Sequence, residues 1–389
     1  MSGRAKKAST KVAPQLELPG TKGDPSRALH IERLGPEARD GKIVSDLVRW
    51  FDAVARDLPW RRRRDPYAVW LSEIMLQQTR VETVIPYFER FLARFPEVSA
   101  LAAADLDEVL SLWSGLGYYR RARGLHAAAK AVVERHNGVF PGEMSDLRAL
   151  PGVGAYTAGA IGSLAFGKRV PLVDGNVARV FARLDGIDAP IAGTAAVKLL
   201  WERAGHLVPA DRPGRFNEAL MELGATTCTP RDPRCGSCPL ESICVARATG
   251  RVGELPVVEV KRKVPVVAMV AAVLVRNGEV LLLRRAEGGL FGGLWEPPMV
   301  EAASLAEARD LLQNVGIATT VTLTEVGRLK HVLTHRELQV RVTAATVSAR
   351  AALPKSLAPP YEKARWIDPA DETIGVSTLA RKVLALATK

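Results

Sequence analysis

Leu150-Pro151-Gly152-Val153-Gly154-Ala155-Tyr156-Thr157-Ala158-Gly159-Ala160 is the stretch on which the fold turns. A glycine-rich turn here joins two helices, the second of which opens at Ala155 and is built from small residues. Backbone N–H groups at such a turn, Gly152 and Gly154 among them, are placed to hold a phosphate. The same pattern also describes a plain tight turn. On the N-terminal side, helical spacing begins at Val44 and predicts further helices near 66–80, 82–94, 105–113, 120–136 and 145–149. On the C-terminal side it predicts helices near 155–166, 176–184, 194–205 and 215–224. Short Gly/Pro breaks separate them and almost nothing alternates at period two. Residues 43–248 therefore read as an all-α domain of many short helices.

At the end of that domain stand the chain's four cysteines, Cys228, Cys235, Cys238 and Cys244, spaced C-x6-C-x2-C-x5-C. A disulfide framework belongs to small cysteine-rich secreted domains, and this chain is neither small nor cysteine-rich. Zinc sites usually show two ligand pairs well apart in sequence, and only Cys235 and Cys238 form such a pair. An all-thiolate [4Fe–4S] cluster fits the spacing better; zinc and a redox role stay open on spacing alone.

With 389 residues the chain has room for two or three domains, and its 47% hydrophobic share supports real cores. The net charge of +12 suits a polyanion such as nucleic acid. No long uncharged apolar run predicts a membrane span. The first residues lack the apolar core of a secretory signal, so an intracellular, reducing location is expected, in the cytoplasm or nucleoid if the source is bacterial. Residues 1–42 read as a disordered basic tail. Residues 249–264, rich in Pro, Val and charge and holding Lys261-Arg262-Lys263, read as a linker. From 265 to 389 the pattern turns α+β: strands near 266–275 and 279–285 flank the hairpin signal Asn277-Gly278. A helix near 304–314 follows, then strands near 320–330, 337–347 and 365–367.

Several constellations carry chemistry. Asp174, in Val173-Asp174-Gly175-Asn176, is placed to cap a helix, where N–H groups and the dipole favour its anion. Glu73 lies in Trp70-Leu71-Ser72-Glu73-Ile74-Met75-Leu76-Gln77-Gln78-Thr79, crowded by apolar neighbours that would raise its pKa and let it act as an acid. A solvated polar face is the plainer reading. Leu116-Gly117-Tyr118-Tyr119-Arg120-Arg121-Ala122-Arg123 sets aromatics beside a basic cluster, suited to a wedge for an extruded base and to phosphates. Arg61 to Arg64 is a second basic run. Arg231 and Arg234, between the first two cysteines, are expected to face phosphates.

Taken together these motifs resemble the endonuclease III superfamily of helix-hairpin-helix DNA glycosylases. Within it, WLSEIMLQQT, SGLGYY, PGVGAYTAGA and VDGNV are similar to the adenine DNA glycosylase (MutY-type) family. The resemblance implies a monomeric hydrolase that removes adenine mispaired with 8-oxoguanine or guanine in double-stranded DNA. By it, Glu73 matches the general acid that protonates adenine N7, and Asp174 the carboxylate that stabilises the oxocarbenium sugar. Tyr156 matches a tyrosine supporting the pocket and the intermediate, while Asn176 and Glu218 match pocket residues. Gln78, Leu116 and Tyr118 match residues at the base stack, with Arg61, Thr79, Gly152 and Gly154 among the DNA contacts. The four cysteines match ligands of a [4Fe–4S] cluster. Glycosidic cleavage calls for one protonated acid and one anion, which the two carboxyls would supply.

Strand-cleaving relatives carry a lysine where this chain has Tyr156, and a phenol cannot form their Schiff base. This favours a monofunctional enzyme over a bifunctional glycosylase/lyase. The trio Glu73, Tyr156 and Asp174 speaks against a silent DNA-binding module. Residues 265–389, through Gly292-Gly293-Leu294-Trp295-Glu296-Pro297-Pro298, resemble the Nudix-like domain that this family uses to recognise 8-oxoguanine. The helix that would carry a magnesium site offers only Glu307 and Asp310, so pyrophosphatase chemistry is not expected. The family's usual Phe-Ser-His loop is Leu333-Thr334-His335 here. Thr334 and His335 keep the hydroxyl and imidazole, but the aromatic is gone.

Overall fold

The computed structural model describes residues 34–259, 264–314, 316–317, 322–371 and 373–387. The described residues divide into two compact units, one holding those up to 55 together with 169–259 and the other 56–168 together with those from 264 onward.

Helix α1 (Pro36–Val54) opens the first unit. In the second unit follow α2 (Pro59–Arg62), α3 (Pro66–Leu76), α4 (Val81–Arg94), α5 (Val98–Ala103), α6 (Leu106–Leu112), α7 (Arg120–His136), α8 (Met144–Ala149) and α9 (Ala155–Ala160). The chain then returns to the first unit with α10 (Gly175–Leu184), α11 (Thr194–Leu207), α12 (Pro213–Thr226) and, after the cysteine loop, α13 (Val245–Ala248). Local chemistry sets several of these ends. Asp65 caps α3 by accepting the Ala68 N–H at 3.0 Å, with Pro66 at the first helical position. Asn137, left-handed at φ 52°, closes α7.

The expectation of a tail through residue 42 is corrected at its end. Residues 36–42 are the first turns of α1, begun by Pro36 and with Glu37 in its first turn. Arg39 there donates to Asp185 at 2.7 Å and to the Leu184 carbonyl at 2.7 Å. Residues 1–33 lie outside the described residues. The linker reading is corrected likewise for 249–259: Val252 and Leu255 are buried with Ala246. Lys261-Arg262-Lys263 lies outside the described residues.

In the second unit the helices pack an aromatic core in which Phe91 meets Trp113 edge-on at 5.7 Å and Trp60 meets Phe88 at 5.5 Å. The C-terminal part is a seven-stranded sheet, ordered β3-β2-β1-β6-β5, with β4 (Met299–Glu301) on β1 (Val266–Arg276) and β7 (Tyr361–Ile367) on β2 (Glu279–Arg285). Here β3 is Trp295–Glu296, β5 is Thr324–Val332 and β6 is Glu337–Thr346. The β1–β2 hairpin turns at Asn277 (φ 46°) and Gly278 (φ 84°), as its sequence predicts. β1 runs parallel to β6 from Val266 opposite Glu337 to Val275 opposite Thr346. One face packs α14 (Leu305–Asn314) through Ala308 and Leu312. The other packs α15 (Thr378–Ala387) through Leu379, Val383 and Leu384.

Leu294, from the loop before β3, is wholly buried among the core residues of the helices. Ser114 Oγ and Tyr119 OH both donate to the Val376 carbonyl, at 2.7 and 3.0 Å, and Arg284 pairs with Asp107 at 2.9 Å. Gly375 sits where a Cβ would lie 2.8 Å from Leu110 Cβ, so a side chain there has no room. We predict that Leu294→Ala costs about 2–5 kcal/mol of stability through lost burial and a cavity, read as a lowered urea midpoint; an unshifted midpoint would contradict this packing.

Candidate functional site

Two groups of candidate residues are each brought together inside one unit. In the second unit Glu73 sits on α3, 4% exposed, and Tyr156 on the first turn of α9. The Tyr156 hydroxyl donates to Glu73 Oε2 at 2.5 Å. A carboxyl taken out of water needs such a donor, and a short bond also helps set which way the group faces. Next to it, Gln77 Nε2 reaches Thr157 Oγ1 at 3.5 Å. The turn before α9 has the predicted form: Gly152 is left-handed at φ 75°, Val153 N–H bonds Leu150 O at 3.1 Å, and exposed Gly154 caps the helix, its carbonyl accepting the Ala158 N–H at 2.9 Å.

In the first unit Asp174 caps α10, its Oδ1 accepting the Val177 N–H at 2.7 Å and its Oδ2 the Asn176 amide at 2.9 Å. Asn176 Oδ1 in turn accepts from Arg179 at 2.8 Å. Arg179 also donates to the carbonyls of Gly224 and Cys228, both at 2.8 Å. Gly224 is required here, since a Cβ would lie 2.6 Å from the Asn176 side chain. Glu218 is buried on α12 in the same unit. The expected preference of Asp174 for its anion is opposed by burial. Desolvation pushes its carboxyl above the ordinary value, and the Val177 N–H and the Asn176 amide pull it part of the way back.

All four cysteines are free thiols and partly buried. Arg183 Nη1 lies 3.4 Å from Cys228 Sγ and donates to the Thr229 carbonyl at 2.8 Å, while Cys244 Sγ contacts the Arg183 carbonyl at 3.4 Å. Burial, then the neighbouring thiols, push Cys244 up to about 11, and burial is likewise the main cause at Cys235. The set offers sulfur donors alone, close enough to feel one another's charge, with a guanidinium beside them. Among the described residues, no three His, Cys, Asp or Glu side chains gather as a site for a single metal ion. Arg234, expected to face phosphates, is exposed but donates to the Thr226 carbonyl at 2.6 Å; Arg231 is exposed.

Gln78, Leu116, Tyr118, Gly152, Thr334 and His335 line one cavity of about 1100 Å³ in the second unit. Tyr118 is 49% exposed, and its hydroxyl lies 3.4 Å from that of Thr334. Gln78 (φ 57°) and Tyr118 (φ 48°) are both left-handed, a conformation that costs a non-glycine residue about 1–2 kcal/mol. Sequence reasoning missed what holds them. Arg121, read there as a phosphate contact, points inward. Its guanidinium donates to the carbonyls of Ile74 (2.9 Å), Met75 (2.8 Å) and Gln77 (2.5 Å), to Thr79 Oγ1 (3.0 Å) and to the carbonyls of Leu116 and Gly117 (both 3.3 Å). Burial brings it down to about 10, still a cation at neutral pH. Arg123 is also turned inward, onto the Gly292 carbonyl. Arg61 donates to the Arg56 carbonyl at 2.9 Å, and Arg63 pairs with Asp65 at 2.5 Å.

These arrangements have counterparts among known proteins. Residues 71–204 match the HhH-GPD superfamily of base excision DNA repair proteins, and residues 269–386 match the NUDIX domain family. A human adenine DNA glycosylase is 38% identical over 87% of this chain and 72% of its own length. One from Arabidopsis thaliana is 40% identical over 80% of this chain and 58% of its own, and one from mouse 37% over 88% and 77%. The fold and site thus define a helix-hairpin-helix glycosylase of base-excision repair, a hydrolase of N-glycosyl bonds, carrying a Nudix-like C-terminal part. The chain belongs to the adenine DNA glycosylase family.

The raised Asp174 carboxyl fixes a sign. If Asp174 is the group that stabilises a developing cation, only its anion can do so, and excision is then predicted to fall as pH drops through this pKa. The acid limb lies above that of an ordinary carboxyl at 3.8. The stability sign is opposite: this group favours the fold most at low pH, and its contribution fades as pH rises from 3.8 through the folded value. Asn176→Ala removes a donor to the anion and should move the acid limb of the single-turnover rate upward; a limb that stays in place would refute the assignment.

Proposed function

We propose that the chain hydrolyses the N-glycosidic bond of adenine mispaired with 8-oxoguanine or guanine in double-stranded DNA, leaving an abasic site. The observation that carries the reading is the buried Glu73 held by the Tyr156 hydroxyl at 2.5 Å. Departure of adenine needs a proton at N7, and Glu73 supplies it as general acid. Asp174, turned by the α10 N-terminus and the Asn176 amide, stabilises the oxocarbenium sugar until water adds. Tyr156 orients Glu73, and its phenol forms no Schiff base, so the strand is left uncut. Glu218 shapes the pocket. Gln78, Leu116 and Tyr118 enter the stack as the base leaves it. Gly152, Gly154, Arg61 and Thr79 serve the DNA backbone and the strand opening around it.

Cys228, Cys235, Cys238 and Cys244 would hold a [4Fe–4S] cluster, a donor set that their shared loop and the adjacent Arg183 suit. Such a cluster would serve as a structural staple for the loop, and the hydrolysis is assigned to the two carboxyls. Residues 265–389 form the recognition domain for the base opposite adenine, with Thr334 and His335 at its contact, and the protein acts as a monomer.

Glu73→Gln should slow single-turnover adenine excision by roughly 10²–10⁴-fold, the usual contribution of a general acid. Alkali should be needed to cut the product strand, and borohydride should trap no adduct. An unaltered rate, or a stoichiometric adduct, would overturn the mechanism. Thr334→Ala with His335→Ala should reduce the preference for A:8-oxoguanine over A:G duplexes, and a wild-type preference would remove the loop from the reading.

A further inference from the structure

Among the described residues seven non-glycine positions have a left-handed backbone. Asn137, Asn277 and Asp232 are of types that tolerate it, and Arg212 precedes the proline that opens α12. The remaining three, Gln78, Tyr118 and Phe291, all line the same cavity. Gln78 follows the C-cap of α3, where helices commonly turn left-handed, but glutamine, tyrosine and phenylalanine all bear that conformation poorly, and its concentration at one surface points to a contact that the strain serves. Gln78 and Tyr118 already have a role in the proposed function. Phe291 (φ 58°) has none.

The loop around Phe291 is built to hold that conformation. Gly288, Gly289 and Gly293 have φ of 94°, 64° and 75°. A Cβ on Gly292 would lie 2.2 Å from the Gly288 carbonyl oxygen, so the loop closes tightly on itself. The Phe291 carbonyl accepts the Leu294 N–H at 3.1 Å, and Arg123 donates to the Gly292 carbonyl. Phe291, half-buried against both hydrophobic cores, thus lines the cavity from a braced loop. Its ring centroid is 6.3 Å from that of His331, tilted 53°. His331 leads along β5 toward Thr334 and His335. Burial, then the charge of Lys382, lowers the His331 pKa, so the imidazole is neutral at neutral pH and presents a flat ring without charge.

We infer that Phe291, backed by His331, is a stacking platform for the base opposite adenine, supplying from a separate loop the aromatic surface absent at Leu333. The inference rests on the proposed reading that residues 265–389 inspect that base. A base held at its edge by Thr334 and His335 lies against the Phe291 ring, and a base not held there gains little from the ring. Phe291 therefore sets specificity and leaves glycosidic cleavage to the carboxyls.

The test measures affinity of the full chain for duplexes carrying a cleavage-resistant 2′-fluoro-adenosine opposite 8-oxoguanine or guanine. Phe291→Leu keeps the apolar volume that packs toward the cores but removes the flat ring. It should bind the 8-oxoguanine duplex roughly tenfold more weakly, in line with aromatic–base stacking, with a smaller change on the guanine duplex. Phe291→Trp, which keeps a ring face, should restore the ratio, and a circular-dichroism melt of each variant checks the fold. A wild-type ratio in Phe291→Leu overturns the inference. If Thr334→Ala with His335→Ala lowers the ratio while Phe291→Leu does not, only the platform fails. If neither lowers it, the reading of the whole region falls with it.

Discussion

A guanidinium taken out of water must find acceptors, and in this chain it finds backbone carbonyls. Burying a charge without hydrogen bonds is costly, and carbonyls recruited to one cation lose their freedom to move apart. Arg121 gathers the end of α3 and the Leu116–Gly117 loop around one such cation. Arg123 does the same for the Gly292 loop. In the other unit Arg179 ties Gly224 and Cys228, and Arg183 ties Leu255 and Thr229. Each joins its helix to segments far away in sequence, helix ends and loops alike.

What these cations hold is a surface under strain. The segment after α3 and the Tyr118 turn carry side chains in left-handed geometry, exposed rather than packed away. Left alone, such turns would relax. Braced by a desolvated cation, they stay set in advance for a partner, and the entropy of ordering them is lost on folding rather than on binding. The contact of Ser114 and Tyr119 with the Val376 carbonyl adds a second brace from the Nudix-like part of the same unit.

The two candidate catalytic carboxyls are managed differently. Glu73 is buried on a helix and accepts from the Tyr156 phenol. Asp174 sits at a helix start, where burial and N–H donation pull its pKa in opposite directions. Two carboxyls in contrasting surroundings are what an acid and an anion require of one protein.

Much of this was legible in the sequence. Helical spacing, the Asn277-Gly278 turn and the cap at Asp174 are local rules, expressed within a few residues, and the hairpin and most helices stand near where those rules put them, though α1 begins at Pro36 rather than near 44 and α3 stops at Leu76 rather than 80. The site residues were legible as motifs, by resemblance. What escaped was mostly non-local. Short α2 and α5 and strands β3 and β4 carry too little period of their own and are formed by what they pack on; the closing helix α15 does carry an apolar stripe, Leu379, Ala380, Val383 and Leu384, which sequence reasoning passed over. Arg121 and Arg123 were misread because sequence shows a charge but not the side on which it is solvated: they turn inward because carbonyls from distant segments wait for them. The left-handed backbone at Phe291 was equally invisible, since only the closed glycine loop and its arginine latch impose it. Sequence alone determined the elements and their chemistry. The tertiary structure decided which charges are buried and which residues are strained, because desolvation and backbone strain depend on neighbours the chain brings from far away.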